Sequence, residues 1–88
     1  MDNKKPVFHY DAGHAWLEVD ILDLERLGIA GQISGYSYKR GSRAYLKEDC
    51  DALLYIETAS RAGLIKKSDF HDVYDGDYSP IRDYDRYR

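Results

Sequence analysis

The chain has 88 residues, 13 Lys and Arg against 16 Asp and Glu, and a formal charge of −3. That length supports one small domain of modest stability. No apolar run approaches the ~18 residues of a membrane span and no leader-like pattern opens the chain, while the single cysteine, Cys50, excludes an internal disulfide framework, so the expected compartment is the cytosol.

Met1 to Lys5 is polar. Val7 to Tyr10 is β-branched and aromatic, Asp11-Ala12-Gly13 has turn chemistry, and Ala15 to Val19 returns as a second strand. Asp20 stands before Ile21, Leu22, Leu24 and Leu27, a helical spacing that Gly28 should end in a left-handed stop. Ile33 to Tyr38 reads as a third strand, Arg40-Gly41-Ser42 as a turn and Arg43 to Lys47 as a fourth strand. Asp49 is the expected cap of a longer helix carrying Leu53, Leu54, Ile56 and Ala59, ended by Gly63, with Leu64 folding back on the last turn. Beyond Lys67 periodicity dissolves: Phe70 to Tyr74 fits a brief strand or helical turn, Ser79-Pro80 breaks any element, and Asp83 to Arg88 reads as extended.

The first two-thirds repeats itself. Tyr10-Asp-Ala-Gly-His14-Ala-Trp-Leu-Glu-Val-Asp20 aligns with Tyr38-Lys-Arg-Gly-Ser42-Arg-Ala-Tyr-Leu-Lys-Glu-Asp49, one residue longer in its turn. The expected fold is α+β: an antiparallel sheet of about four strands from duplicated ββα units, with two helices on one face. Residues 1–67 form the ββαββα domain and 68–88 an acidic Tyr/Asp-rich tail, partly extended or disordered. A two-residue first turn and a three-residue second turn assign the faces by alternation. Phe8, Tyr10, Ala15, Leu17, Tyr36, Tyr38, Ala44 and Leu46 should meet the helices, leaving His9, Trp16, Ser37 and Tyr45 on an open face.

Three constellations carry possible chemistry. His9, Asp11 and His14 surround the first turn and are the ligand types of a zinc or manganese site, which would suit a small metal-dependent hydrolase or nuclease. Lys39, Arg40, Arg43 and Lys47, beside Tyr36, Tyr38 and Tyr45, could hold a nucleic-acid strand by phosphate contacts and stacking. Residues 1–68 hold ten charges of each sign, whereas the last twenty hold six Asp against Arg82, Arg86 and Arg88, interleaved with four of the nine tyrosines. Such Asp/Tyr spacing could occupy a basic groove, and tyrosine is enriched at binding surfaces. Cys50 has Asp49 and Asp51 beside it, which oppose thiolate formation, so a buried, inert cysteine is expected. No phosphate-loop, dinucleotide or nucleophile-elbow motif occurs, and no cofactor is expected.

At His9-Tyr-Asp-Ala-Gly-His-Ala-Trp-Leu-Glu-Val19, Ile33-Ser-Gly-Tyr-Ser-Tyr-Lys-Arg-Gly41 and Tyr45-Leu-Lys-Glu-Asp-Cys-Asp51 the chain resembles a group of small uncharacterised proteins encoded by bacterial phages and plasmids. The resemblance covers roughly residues 7–60. It implies a mobile-element product acting in the bacterial cytoplasm, of the kind that inhibits host machinery, including CRISPR effectors, by covering a surface. The expected function is a non-enzymatic module that binds a host protein or ribonucleoprotein complex. The expected contacts are His9, Trp16 and Tyr45 on the sheet, with Asp72, Tyr74, Asp75, Asp77 and Tyr78 in the tail.

Overall fold

A computed structural model describes residues 6–65 and 70–88. Its elements in chain order are β1 (Val7–Tyr10), β2 (Ala15–Asp20), α1 (Ile21–Arg26), a 3₁₀ turn (Ala30–Gln32), β3 (Tyr38–Arg40), β4 (Arg43–Lys47), α2 (Asp51–Arg61), β5 (His71–Tyr74), a second 3₁₀ turn (Pro80–Asp83) and β6 (Asp85–Arg86). The fold is α+β, with a six-stranded sheet in the order β5-β1-β2-β4-β3-β6. All neighbours are antiparallel except β1 and β5, which run parallel. Among the described residues no helix is long and apolar enough to cross a membrane.

Both helices end as their glycines require. Gly28 and Gly63 each take φ of +75°, and the residue after each, Ile29 or Leu64, donates its backbone N–H to the carbonyl of Leu24 or Ala59. This six-to-one closure satisfies carbonyls left free at a helix end. The helix starts differ from expectation. Asp20 precedes α1, but its carboxylate serves Arg43, and α2 begins after Cys50, leaving Asp49 to Lys47. Cys50, expected to be buried, is exposed at this helix start.

Both helices cover one sheet face. Leu17, Val19, Ala44 and Leu46 from β2 and β4 form a buried core with Leu24, Ile29, Ile33, Ala52, Tyr55 and Ala59. Burial of Tyr55 pushes its phenol up to about 12.

The first hairpin has the expected register, with Phe8 opposite Leu17 and Tyr10 opposite Ala15. The second does not. Tyr38 pairs with Tyr45 and Arg40 with Arg43, so the loop is the two residues Gly41-Ser42 and not three. Gly41 takes φ of +59°, as the first central position of a II′-type turn demands, and this shorter turn matches the strand twist. The one-residue change moves Tyr38 to the face away from the helices, where it packs with Trp16, Tyr45 and Ile81. Tyr36 and Ser37 precede β3 in the turn: Tyr36 is exposed and Ser37 is buried. The order of elements is thus alike in the two halves, but hairpin register and helix length differ, so duplicated ββα units within a four-stranded sheet describe the fold only coarsely.

The larger correction concerns the C-terminal segment. The expected boundary at residue 67 lies outside the described residues, but residues 70–88 are built into the sheet. β5 extends the β1 edge in parallel, β6 extends the β3 edge, and Ile81, 1% exposed, lies on Trp16 and Tyr45. Trp16 is 2% exposed and Tyr45 8%. The face expected to lie open is therefore a second hydrophobic cluster, closed by the segment expected to trail as a tail. At its end, Tyr87 Oη donates to the carbonyl of Ala30, and the Arg88 guanidinium donates to the carbonyls of Ile33 and Gly31.

Candidate functional site

The first turn is held by Asp11, whose side chain is fully buried. Its Oδ1 accepts from the backbone N–H groups of Gly13 and His14, both at 2.9 Å, which is the local Asx geometry expected of aspartate in a turn. Its Oδ2 accepts from Ser79 N at 2.9 Å and Arg82 Nε at 2.6 Å, and Arg82 Nη2 donates to Oδ1 at 3.0 Å. Gly13 leaves room for this fork, since a Cβ there would sit 3.2 Å from Arg82 Nη2. The Arg82 guanidinium, despite the opposing effect of burial, holds the Asp11 carboxyl far below the usual carboxylate range, helped by the three backbone donors.

These bonds decide the metal reading. Asp11 spends both oxygens on Arg82 and on backbone donors. His9 turns to Glu18, with Nε2 2.6 Å from Oε1, and to Asp75, with Nδ1 3.5 Å from Oδ1. His14 lies beside Trp16, ring centroids 6.1 Å apart. Among the described residues no three His, Cys, Asp or Glu side chains come together as a metal site. His9, Asp11 and His14 are neighbours in sequence that the fold assigns to separate partners.

The basic hairpin is divided in the same way. Arg43 donates to Glu18 Oε2 at 2.8 Å and pairs with Asp20. Partial burial works against the charge of Glu18, but hydrogen bonds from His9 and Arg43 hold its carboxyl below the ordinary value. Lys47 Nζ lies 3.4 Å from Asp49 Oδ1, and Arg40 sits 4.9 Å above the Tyr84 ring. Only Lys39 and Arg40 stand exposed at the hairpin tip, too few for a phosphate-tracking groove.

Of the expected contact residues, Trp16 and Tyr45 are interior. His9 is half-buried between two carboxylates, and Asp75 is half-buried, accepting from Ser79 Oγ at 2.7 Å. Asp72, Tyr74, Asp77 and Tyr78 are exposed and form the outer surface of the β5 edge and the loop after it. Tyr74 is 53% exposed and Tyr78 60%. Tyr74 Oη donates to Asp77 Oδ1 at 3.2 Å, and Tyr78 Oη donates to Asp83 Oδ1 at 3.3 Å. Tyr10, expected to face the helices, is exposed and packs against Tyr74 with centroids 5.1 Å apart and ring planes inclined at 49°. Its exposure follows from its place at the end of β1, beyond the reach of the helices. Arg82 beneath Tyr78, with its guanidinium carbon 5.3 Å from the ring centroid, completes the ledge and could not be found from local pattern, lying 71 residues from its carboxylate partner.

A second buried carboxylate braces the turn between the two halves. Asp51 Oδ2 accepts from Ser34 N, Ser34 Oγ and Ser37 Oγ at 3.0, 2.6 and 2.5 Å, and Ser37 Oγ accepts from Lys47 N at 3.0 Å. Asp51→Ala should cost about 1–3 kcal/mol, because it leaves these donors without their acceptor. Amide exchange at Ser34 and Tyr36 should accelerate more than at the β1–β2 ladder; equal acceleration at both would assign Asp51 no local role.

Compared with known proteins, the chain matches no family model, and neither a curated protein nor a solved structure shows significant similarity to it. The site must be read from its own chemistry.

Proposed function

We propose that this chain is a non-enzymatic protein-binding module that covers a basic surface on a host nucleic-acid-processing complex, in the manner of a CRISPR inhibitor. The ledge of Tyr10, Asp72, Tyr74, Asp77 and Tyr78 makes the contact. The observation that carries the reading is the pair of largely exposed tyrosines whose hydroxyls are tied to Asp77 and Asp83 on a folded segment. Tyrosines presented this way offer large contact area at small entropic cost, and interface hot spots are enriched in them. Asp72 and Asp77 form no ion pair among the described residues, so their charge is available to a cationic partner. The resemblance of residues 7–60 to mobile-element proteins supplies the setting, a bacterial cytoplasm.

Added to purified CRISPR effector complexes of both classes, the protein should slow binding or cleavage of target DNA by at least one of them. The double substitution Tyr74→Ala, Tyr78→Ala should weaken that inhibition about tenfold or more, while the urea midpoint stays nearly unchanged because both rings are exposed. Inhibition by no effector would end the reading, and undiminished inhibition by the double variant would remove the ledge from it.

A further inference from the structure

We propose that the cavity between the braced turn 34–38, the C-terminal end of β4 and the arginines of the C-terminal segment is a nucleotide site, taking a planar base and its phosphate together. This goes beyond the ledge reading and, apart from Arg82, which also underlies Tyr78, uses different residues. The cavity has a volume of about 690 Å³, and Trp16, Tyr36, Tyr38, Lys47, Asp49 and Arg86 are among its lining residues. That volume lies within the range of small-molecule sites.

Of its three aromatic rings, Tyr36 is exposed, Tyr38 half-buried and Trp16 buried. Trp16 and Tyr38 pack edge to face with centroids 6.2 Å apart and an interplanar angle of 72°. Tyr36 at the rim is 70% exposed, yet its turn is rigid: its backbone N–H donates to Ser34 Oγ at 3.1 Å, and Ser34 and Ser37 are both held by buried Asp51. An exposed ring on a turn already fixed in place loses little freedom when a base stacks on it. The indole N–H of Trp16 is buried without an acceptor among the described residues, an uncommon state for an indole.

The charges select a phosphate. Three cations line the cavity, Lys47, Arg82 and Arg86, against the single carboxylate of Asp49. Arg82 is neutralised by Asp11, and Lys47 lies 3.4 Å from Asp49. Arg86 has no carboxylate partner among the described residues. It gives one hydrogen bond, from Nη1 to the Gly35 carbonyl at 3.0 Å, and its guanidinium carbon lies 5.4 Å from the Tyr38 ring centroid. Its other N–H donors form the fork that phosphate oxygens accept. Asp49, 75% exposed, weakens the field for a bare anion and offers an acceptor to an exocyclic amino group of a base. A ring with a phosphate would engage Tyr36, Asp49 and Arg86 together, and neither part does so alone. The same chemistry is offered by a free nucleotide and by the terminal unit of a single strand.

Trp16 is the sole tryptophan, so its fluorescence reports on the cavity directly. Adenosine 5′-monophosphate should quench or shift that emission saturably, with adenosine and inorganic phosphate each binding at least about tenfold more weakly. Tyr36→Ala and Arg86→Ala, both at exposed residues, should each weaken adenosine 5′-monophosphate binding about tenfold, the scale of one lost stacking or charged contact, with circular dichroism unchanged. A five-residue oligodeoxyadenylate that binds more tightly than the mononucleotide, with a steep salt dependence, identifies a strand; equal or weaker binding identifies the free nucleotide. No saturable change with either probe at millimolar concentration, phosphate binding as tightly as the nucleotide, or indifference to both substitutions would overturn the proposal.

Discussion

Asp11→Asn should destabilise the protein by about 2–3 kcal/mol, a range already discounted for the partial exposure of Arg82. The substitution keeps size and shape, so the loss isolates the charge and the acceptor count. Both carboxylate oxygens receive N–H donors: Gly13, His14 and Arg82 on one, Ser79 and Arg82 on the other. Whichever way an asparagine amide turns, its NH₂ group points at donors. For a domain of this size the penalty corresponds to a melting temperature about 10–20 °C lower. The pH dependence follows from the same carboxyl, which Arg82 holds far below its ordinary value. Because the folded-state value is depressed, the contribution is complete above the unfolded value near 4 and is lost as pH falls below it. Urea titrations between pH 6 and pH 2 should show wild-type stability level down to about pH 4 and falling progressively below it, with the variant falling less, the remainder arising from Glu18, whose carboxyl is also lowered. Parallel pH profiles for the two proteins would refute the role given to Asp11.

Trp16→Ala should cost about 3–5 kcal/mol and leave much of the chain unfolded at room temperature. The indole is 2% exposed and lies among Tyr38, Tyr45 and Ile81, with the Arg82 guanidinium carbon 5.4 Å from its centroid. Its removal opens a cavity between the sheet and the C-terminal segment, and that segment then loses the apolar surface on which it lies. Ile81→Ala should cost about 2–4 kcal/mol by the same mechanism and should shift the Trp16 emission toward that of a solvated indole. Circular dichroism with urea measures both. A Trp16→Ala protein with wild-type stability would mean that the C-terminal segment does not cover this face. For the same reason, loss of partner binding in a Trp16 or Tyr45 variant carries no information about an interface: both are interior residues.

Local chemistry made much of the fold legible. Turn residues at Asp11 to Gly13 specified the first hairpin and its register, and the glycines at 28 and 63 specified both helix ends. The second register failed on a single residue, because Arg40-Gly41-Ser42 reads equally as a three-residue or a two-residue turn. Only the cross-strand packing of Tyr38 against Trp16 and Tyr45 decides between them. The candidate surface was partly legible: the exposed ledge of Asp72, Tyr74, Asp77 and Tyr78 was visible as composition, whereas Tyr10 beside Tyr74 was not.

By itself the sequence determined what lies within one turn of structure: strand alternation, turn chemistry, helix stops and an α+β order of elements. Tertiary structure alone decided the fate of the C-terminal segment. The Asp11–Arg82 fork spans 71 residues and the parallel pairing of β5 with β1 leaves no periodic trace in either strand. Interactions between distant parts of a chain are selected by the surface left unsatisfied elsewhere, here the buried carboxylate of Asp11 and the apolar face of Trp16, and no local pattern records which segment will satisfy it.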